Sequence, residues 1–260
     1  MDTSKVSEFI INWLDKYLTN SGAKSFIVGI SGGVDSALTS TLCAKTGHKV
    51  YLMTMPIRQT SAEYDRAIEH IEDLKKRFPN VEALDIELTN VFESLEKTFP
   101  EETVSNTLAM ANTRSRLRML TLYAIGQTHG AIVVGTGNKI EDFGVGFYTK
   151  YGDGGVDISP IADLTKTQVW ELAKYNQVVD SIVTAKPTDG LWDDGKSDED
   201  IIGASYPELE WAMDFSGEEL ALTERQKEVL AIYRRLNRIN QHKMNPIPVC
   251  IIPESYKSNK

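Results

Sequence analysis

The residues best suited to chemistry stand together at Ser31-Gly32-Gly33-Val34-Asp35-Ser36. Two adjacent glycines reach backbone angles closed to other residues and let a phosphate approach the main chain, while hydroxyls and the N–H groups of a helix start supply donors. Such a loop suits a pyrophosphate. The carboxylate of Asp35 adds a hard oxygen donor of the kind that divalent cations take. No Gly-Lys-Ser/Thr follows, so this is not a Walker loop. A lone Gly-Gly pair would mark only a strand-to-helix turn capped by Asp35 or Ser36, but the whole hexapeptide carries more than a turn needs. A second cluster begins at Gly135-Thr136-Gly137-Asn138-Lys139, continues through Glu141 and Asp142, and reaches Phe147-Tyr148-Thr149-Lys150-Tyr151-Gly152-Asp153-Gly154-Gly155-Val156-Asp157.

Both clusters follow short apolar runs. Ser25 to Ile30 predicts a strand before the first loop, with a helix over Ala37 to Lys45 after it, and Ala131 to Val134 predicts a buried strand before the second. Between them, Lys49 to Met55 and Val81 to Ile86 read as strands, and Ala62 to Arg77 and a long stretch from about Thr103 to Thr128 as helices. An amphipathic helix carrying Val6, Phe9, Ile10, Trp13, Leu14 and Tyr17 opens the chain and stops near Ser21-Gly22. After Ile158 only helices are predicted, over Lys166 to Tyr175, Tyr206 to Met213 and Glu224 to Asn240. The alternation predicts an α/β fold with a doubly wound, mainly parallel sheet, helices on both faces and right-handed crossovers. In such a sheet ligands bind at the carboxyl ends of strands, where both clusters fall.

With 260 residues the expectation is one domain over 1–260. A net charge of −9 speaks against a nucleic-acid surface, so anionic ligands must be held by local sites. No apolar run approaches the roughly 18 residues of a membrane helix, and the first residues lack a signal peptide's pattern, so the expectation is a cytoplasmic protein with no membrane partner. Cys43 and Cys250 are far apart, which argues against a zinc or redox pair, and both read as buried thiols. Asp189 to Asp200 holds six acidic residues in twelve and reads as a solvated, mobile acidic loop or a lid.

The SGGxDS hexapeptide between strand and helix is similar to the signature of the PP-loop ATP pyrophosphatases. The segment from Gly135 to Asp157 resembles the GT…E…GFFTKYGDGG…D segment of the ammonia-dependent NAD synthetases. Asn112 to Met119, Leu164-Thr165-Lys166, Lys186-Pro187-Thr188-Asp189 and His242-Lys243 extend the resemblance to most of the chain. It implies a Rossmann-like PP-loop fold, a homodimer, and amidation of nicotinic acid adenine dinucleotide (deamido-NAD) by ammonia through an adenylate. The alternatives are another PP-loop adenylating enzyme, such as a tRNA thiolation enzyme, and a nucleotide-binding module without turnover.

Carried over residue by residue, the resemblance implies ATP at Gly29, Ile30, Ser31, Gly32, Gly33, Val34, Asp35, Ser36, Thr136, Lys166 and Thr188, with Ser31, Asp35 and Ser36 catalytic. It implies magnesium (Mg2+) at Asp35 and Glu141, and deamido-NAD at Arg116, Lys150, Asp157, His242 and Lys243. From residue type alone, Lys166 and His242 read equally well as solvated side chains. Spacing favours Arg114 and Arg118, four residues apart on one helix face, over Arg116, which rests on the resemblance. Counted from Thr136 the metal-binding carboxylate is Glu141; counted back from Gly146 it is Asp142.

Overall fold

In the computed structural model, which describes residues 1–59, 61–186 and 197–257, the chain forms a parallel sheet wrapped by helices. Helix α1 (Thr3–Ser21) ends at Gly22, whose φ of 72° gives the left-handed turn that a glycine closes at no steric cost. Strand β1 (Ser25–Gly29) leads through the glycine loop into α2 (Val34–Lys45), and β2 (Lys49–Thr54) is joined by α3 (Ser61–Arg77) to β3 (Val81–Asp85). Helices α4 (Thr89–Thr98), α5 (Glu101–Val104) and α6 (Thr107–His129) return the chain to β4 (Ala131–Val133). Helix α4 is an element that the sequence reading omits, and α5 and α6 divide the stretch it treats as one helix.

The strand order is β3-β2-β1-β4, every pairing is parallel, and Ser25 is in register with both Lys49 and Ala131. The chain walks outward from β1 to β3, then returns to lay β4 on the other side of β1. The reversal therefore falls between β1 and β4, the position at which open α/β sheets bind ligands.

The period-two alternation of β1 explains the two helical layers. Phe26, Val28 and Ile30 point into one core with Leu14 of α1, Leu38 and Leu42 of α2, and Val169 and Leu172 of α7 (Lys166–Tyr175). Ile27 points the other way, packing with Met53, Val133, Phe92 of α4 and Leu117 of α6. On α1 the buried positions are Ser7, Ile10, Leu14 and Leu18, while Phe9, Trp13 and Tyr17 lie on the exposed side.

The chain beyond β4 is helical, as expected: α8 (Asp180–Val183), α9 (Asp198–Ile202), α10 (Tyr206–Asp214), α11 (Glu224–Ile239), α12 (Gln241–Met244) and α13 (Glu254–Lys257) follow α7. A third apolar cluster joins Ile202, Tyr206, Leu209, Val229 and Leu230 to Ile140 and Val145, which lie in a π-helical turn, Ile140–Val145. The reading of Asp189 to Asp200 as a loop needs correction at its end. Ser197 makes a reciprocal capping box with Asp200 and starts α9, so Asp198 and Asp200 serve a helix N-terminus, where carboxylates are favoured. Residues 189–196 of that stretch, and Thr188, lie outside the described residues.

Cys43 is fully buried, as expected, and burial holds its thiol well above the usual range. Cys250 is exposed, contrary to the expectation, because Val249, Ile251 and Ile252 around it are themselves exposed. Among the described residues no helix is long and apolar enough to cross a membrane.

Candidate active site

The glycine loop is tied together by its own serines. Ser31 Oγ accepts from the Gly33 N–H at 3.1 Å, Ser36 Oγ accepts from the Ser31 N–H at 3.3 Å and donates to the Gly33 carbonyl at 3.0 Å. Neither Asp35 nor Ser36 caps the helix: the N-cap is Gly33, with no side-chain cap. The start of α2 thus stays open to an anion, and an uncapped helix start attracts negative charge. Gly32 has φ 85°, and a Cβ there would lie 2.4 Å from the Glu63 carbonyl oxygen, so both its backbone angle and the first turn of α3 require glycine.

Three groups from distant parts of the chain meet beside this loop. Lys166 Nζ is 2.6 Å from Asp35 Oδ2 and 3.0 Å from Glu141 Oε1, with the three side chains 4%, 15% and 17% exposed. Burial works against the Lys166 ammonium, but the charges and hydrogen bonds of the two carboxylates outweigh it and hold its pKa above the usual lysine value. Burial likewise opposes charge on Glu141, yet Lys166 and the Tyr206 hydroxyl keep it below the ordinary glutamate value, whereas burial wins at Asp35 and raises it. One ammonium for two carboxylates leaves a negative charge unbalanced. Two inward carboxylates with an unbalanced charge next to a phosphate-binding loop form an oxygen donor set that fits a hard divalent cation, which typically takes one or two carboxylates plus substrate phosphates.

The π-turn decides which of the adjacent acidic residues faces this centre. The Gly146 N–H bonds to the Glu141 carbonyl, an i to i+5 closure that takes one residue more than an α-turn. Buried Asn138 anchors its start, accepting from the Ile140 and Glu141 N–H groups and donating to Asp35 Oδ1 at 3.1 Å. Glu141 therefore faces Asp35 and Lys166. Asp142 turns instead towards Gly137, where an added Cβ would lie 2.2 Å from both of its carboxylate oxygens. Burial first, then the negative charges of Glu141, Asp153 and Asp35, push the Asp142 carboxyl up to about 8. The competing counts from Thr136 and Gly146 thus differ because the turn is one residue longer.

A basic group lies at another part of the cleft. Ser115 of α6 donates to Asp153 Oδ1 at 2.7 Å, fastening the 147–155 segment to the helix. Arg116 then reaches the Lys150 carbonyl at 3.3 Å, Lys150 Nζ donates to the His242 carbonyl, and Lys243 Nζ donates to the Gly146 and Tyr148 carbonyls at 2.8 and 2.7 Å. Of the arginines favoured by spacing, Arg114 is buried over the Phe92 ring, with 5.2 Å to the centroid, whereas Arg118 and Arg116 both line the cleft.

Residues 29–36, Arg116, Thr136, Glu141, Lys150, Lys166, His242 and Lys243 all line one cleft of about 580 Å³. Asp157 is not brought to it: its carboxylate accepts from the Tyr123 hydroxyl and the Val133 N–H, at 3.0 and 2.8 Å, and steadies the end of β4. Sequence reasoning missed Asn138 and Tyr206. Asn138 carries a signal, an Asn at the start of a helical turn; Tyr206 has the same local pattern as any apolar helix position.

The NAD synthase family profile matches residues 6–247. This chain belongs to the NAD synthase family. It is 32% identical over 259 residues to the NH(3)-dependent NAD(+) synthetase of Mesoplasma florum, covering 99% of both chains. It is 36% identical over 238 residues to that of Carboxydothermus hydrogenoformans, covering 91% of this chain and 93% of the relative. The solved structure of NMN synthetase from Francisella tularensis superposes with a TM-score of 0.84 at 31% identity, covering 97% of this chain and 99% of that one. The parallel sheet with helices on both faces is thus the family's fold, and ATP is a substrate of NAD synthases.

Proposed function

We propose that this chain is an ammonia-dependent NAD synthetase, a ligase that couples ATP cleavage to amidation of deamido-NAD. The observation that carries this reading is the joining of both sequence motifs in one cleft, the 31–36 loop on one side and the segment from Gly135 to Asp153 on the other. ATP is held with its β and γ phosphates at the glycine loop, and the pyridine carboxylate attacks the α-phosphorus. The α–β P–O bond breaks with its electron pair leaving on pyrophosphate. Ammonia then attacks the acyl carbon of the resulting anhydride, AMP departs, and the surplus proton passes to solvent.

The protein's own part is alignment and charge. Backbone N–H groups at the start of α2 face the leaving phosphates, and Lys166 carries positive charge to the cleft floor. Arg116, Lys150, His242 and Lys243 are assigned to the dinucleotide, Thr136 and Thr188 to ATP. Asp35 and Glu141 would hold Mg2+, which when bound offsets phosphate charge. Asp157 is kept only as a support for β4. A homodimer and a cytoplasmic location belong to the same reading, the former supported by the exposed apolar residues Ile247, Val249 and Ile251.

The similarity to a chain named NMN synthetase makes the shorter mononucleotide the substrate to set against the dinucleotide. The test is to incubate the protein with Mg-ATP, ammonium and either nicotinic acid adenine dinucleotide or nicotinic acid mononucleotide, and to measure AMP and amide. Equal AMP and amide from the dinucleotide supports the proposal. Faster turnover of the mononucleotide transfers it to the second reading, and AMP from neither refutes both.

A further inference from the structure

Helix α3 lies against the glycine loop closely enough to forbid a side chain at Gly32, and one of its residues is Arg66. Arg66 is half-buried, lines the cleft, and donates from Nε to the Gly32 carbonyl at 3.3 Å. That is its one polar contact among the described residues.

The charge balance around the loop gives this contact its meaning. Lys166 spends its charge on Asp35 and Glu141. Arg116, Lys150 and Lys243 are bonded to carbonyls of the 146–150 segment and of His242, within the other basic group. Arg66 is bonded to the loop's own main chain, through a neutral carbonyl, so its charge is uncommitted. A guanidinium has five N–H donors in a planar fork; one is used here, and the rest suit the oxygens of a phosphate. A pyrophosphate leaving group gains negative charge as the α–β bond breaks, and a cation fixed beside it before the reaction needs no reorganisation.

We propose that Arg66 is a pyrophosphate-binding residue, holding the β and γ phosphates of ATP and the pyrophosphate they become. The inference rests on the ATP-cleaving reading above. A purely structural role would need only the hydrogen bond to Gly32, which separates the two readings by substitution. Arg66→Gln keeps an N–H donor without charge, and Arg66→Lys keeps charge without the fork.

The experiment measures binding of magnesium pyrophosphate by calorimetry, and AMP formation against ATP concentration, for the wild type, Arg66→Gln and Arg66→Lys, with thermal melts to confirm folding. Pyrophosphate affinity should fall about tenfold or more in Arg66→Gln, as expected for loss of a charge-assisted contact. KM for ATP should rise, and Arg66→Lys should recover part of both. Wild-type affinity and KM in a folded Arg66→Gln would overturn the proposal. If the wild type forms no AMP, the synthetase reading fails, and the calorimetric comparison still decides whether Arg66 binds pyrophosphate.

Discussion

The phenolic hydroxyl of Tyr206 donates to Glu141 Oε1 at 2.5 Å, across 65 positions of sequence. The same ring lies 4.7 Å from Lys166 Nζ, and Tyr206 is fully buried. The helical layer that follows the sheet thus reaches the cleft floor through one hydroxyl. Tyr206→Phe keeps the ring and frees the carboxylate to rotate. It is expected to cost about 1.5–3 kcal/mol, the range for a hydrogen bond to a charged group, and to raise the Mg2+ concentration for half-maximal AMP release. An unchanged Mg2+ dependence with a lowered melting temperature would reduce Tyr206 to packing.

Lys166 sets a further expectation. Lys166→Met leaves Asp35 and Glu141 without their shared counter-ion in a buried place, which for a broken buried pair costs about 3–5 kcal/mol. Asp35→Asn in the same chain should recover part of that loss while remaining inactive. Thermal melts of the two single variants and the double variant measure the coupling, and simple additivity would contradict it.

The sequence made the sheet legible because each strand is a short apolar run bounded by a turn, and the observed strands end within a residue of those runs. It made the glycine loop legible because the chemistry requires consecutive residues. Tyr206 and Arg66 were not legible. Their roles come from helix packing that brings α10 under the π-turn and α3 onto Gly32, and nothing in a single sequence reports such long-range contacts. The surroundings of Asp157 were not legible either: its motif is local, but pairing of the 157–158 segment alongside the end of β4 leaves its carboxylate bonded to Tyr123 and the Val133 N–H.

Gly32 gives a sharper test of the loop than its acidic residue. Gly32→Ala must hold a side chain at φ 85° with its Cβ 2.4 Å from a backbone oxygen that α3 fixes in place. The left-handed conformation alone costs about 1–2 kcal/mol, and the contact adds to it. AMP formation is expected to be abolished and the melting temperature to fall by several degrees. A variant that binds ATP and melts like the wild type would mean that α3 moves freely over the loop.

His70, fully buried on α3 and 2.9 Å from Ser40 Oγ, provides the pH dependence. Burial, which outweighs the attraction of Asp73, lowers its pKa from 6.5 to about 4. Between those values the unfolded chain binds a proton that the folded chain does not, so stability is full above about pH 6.5 and declines as pH falls towards 4. His70→Gln should flatten the melting temperature's dependence on pH across that window. An equally steep slope in the variant would assign the acid sensitivity to other groups.

Counting residues is an unsafe ruler across the turn from Ile140 to Val145. The closure from Gly146 to the Glu141 carbonyl absorbs a spare residue without disturbing Asn138, so the distance that matters is measured forward from Asn138 and not back from Gly146. A chain one residue shorter in this turn would keep the same carboxylate beside Lys166 while its downstream numbering slipped by one. Half-exposed Phe143 marks where that slack is stored. The wide turn works as an expansion joint, taking up a change in chain length on the solvent side so that the cleft side keeps its dimensions.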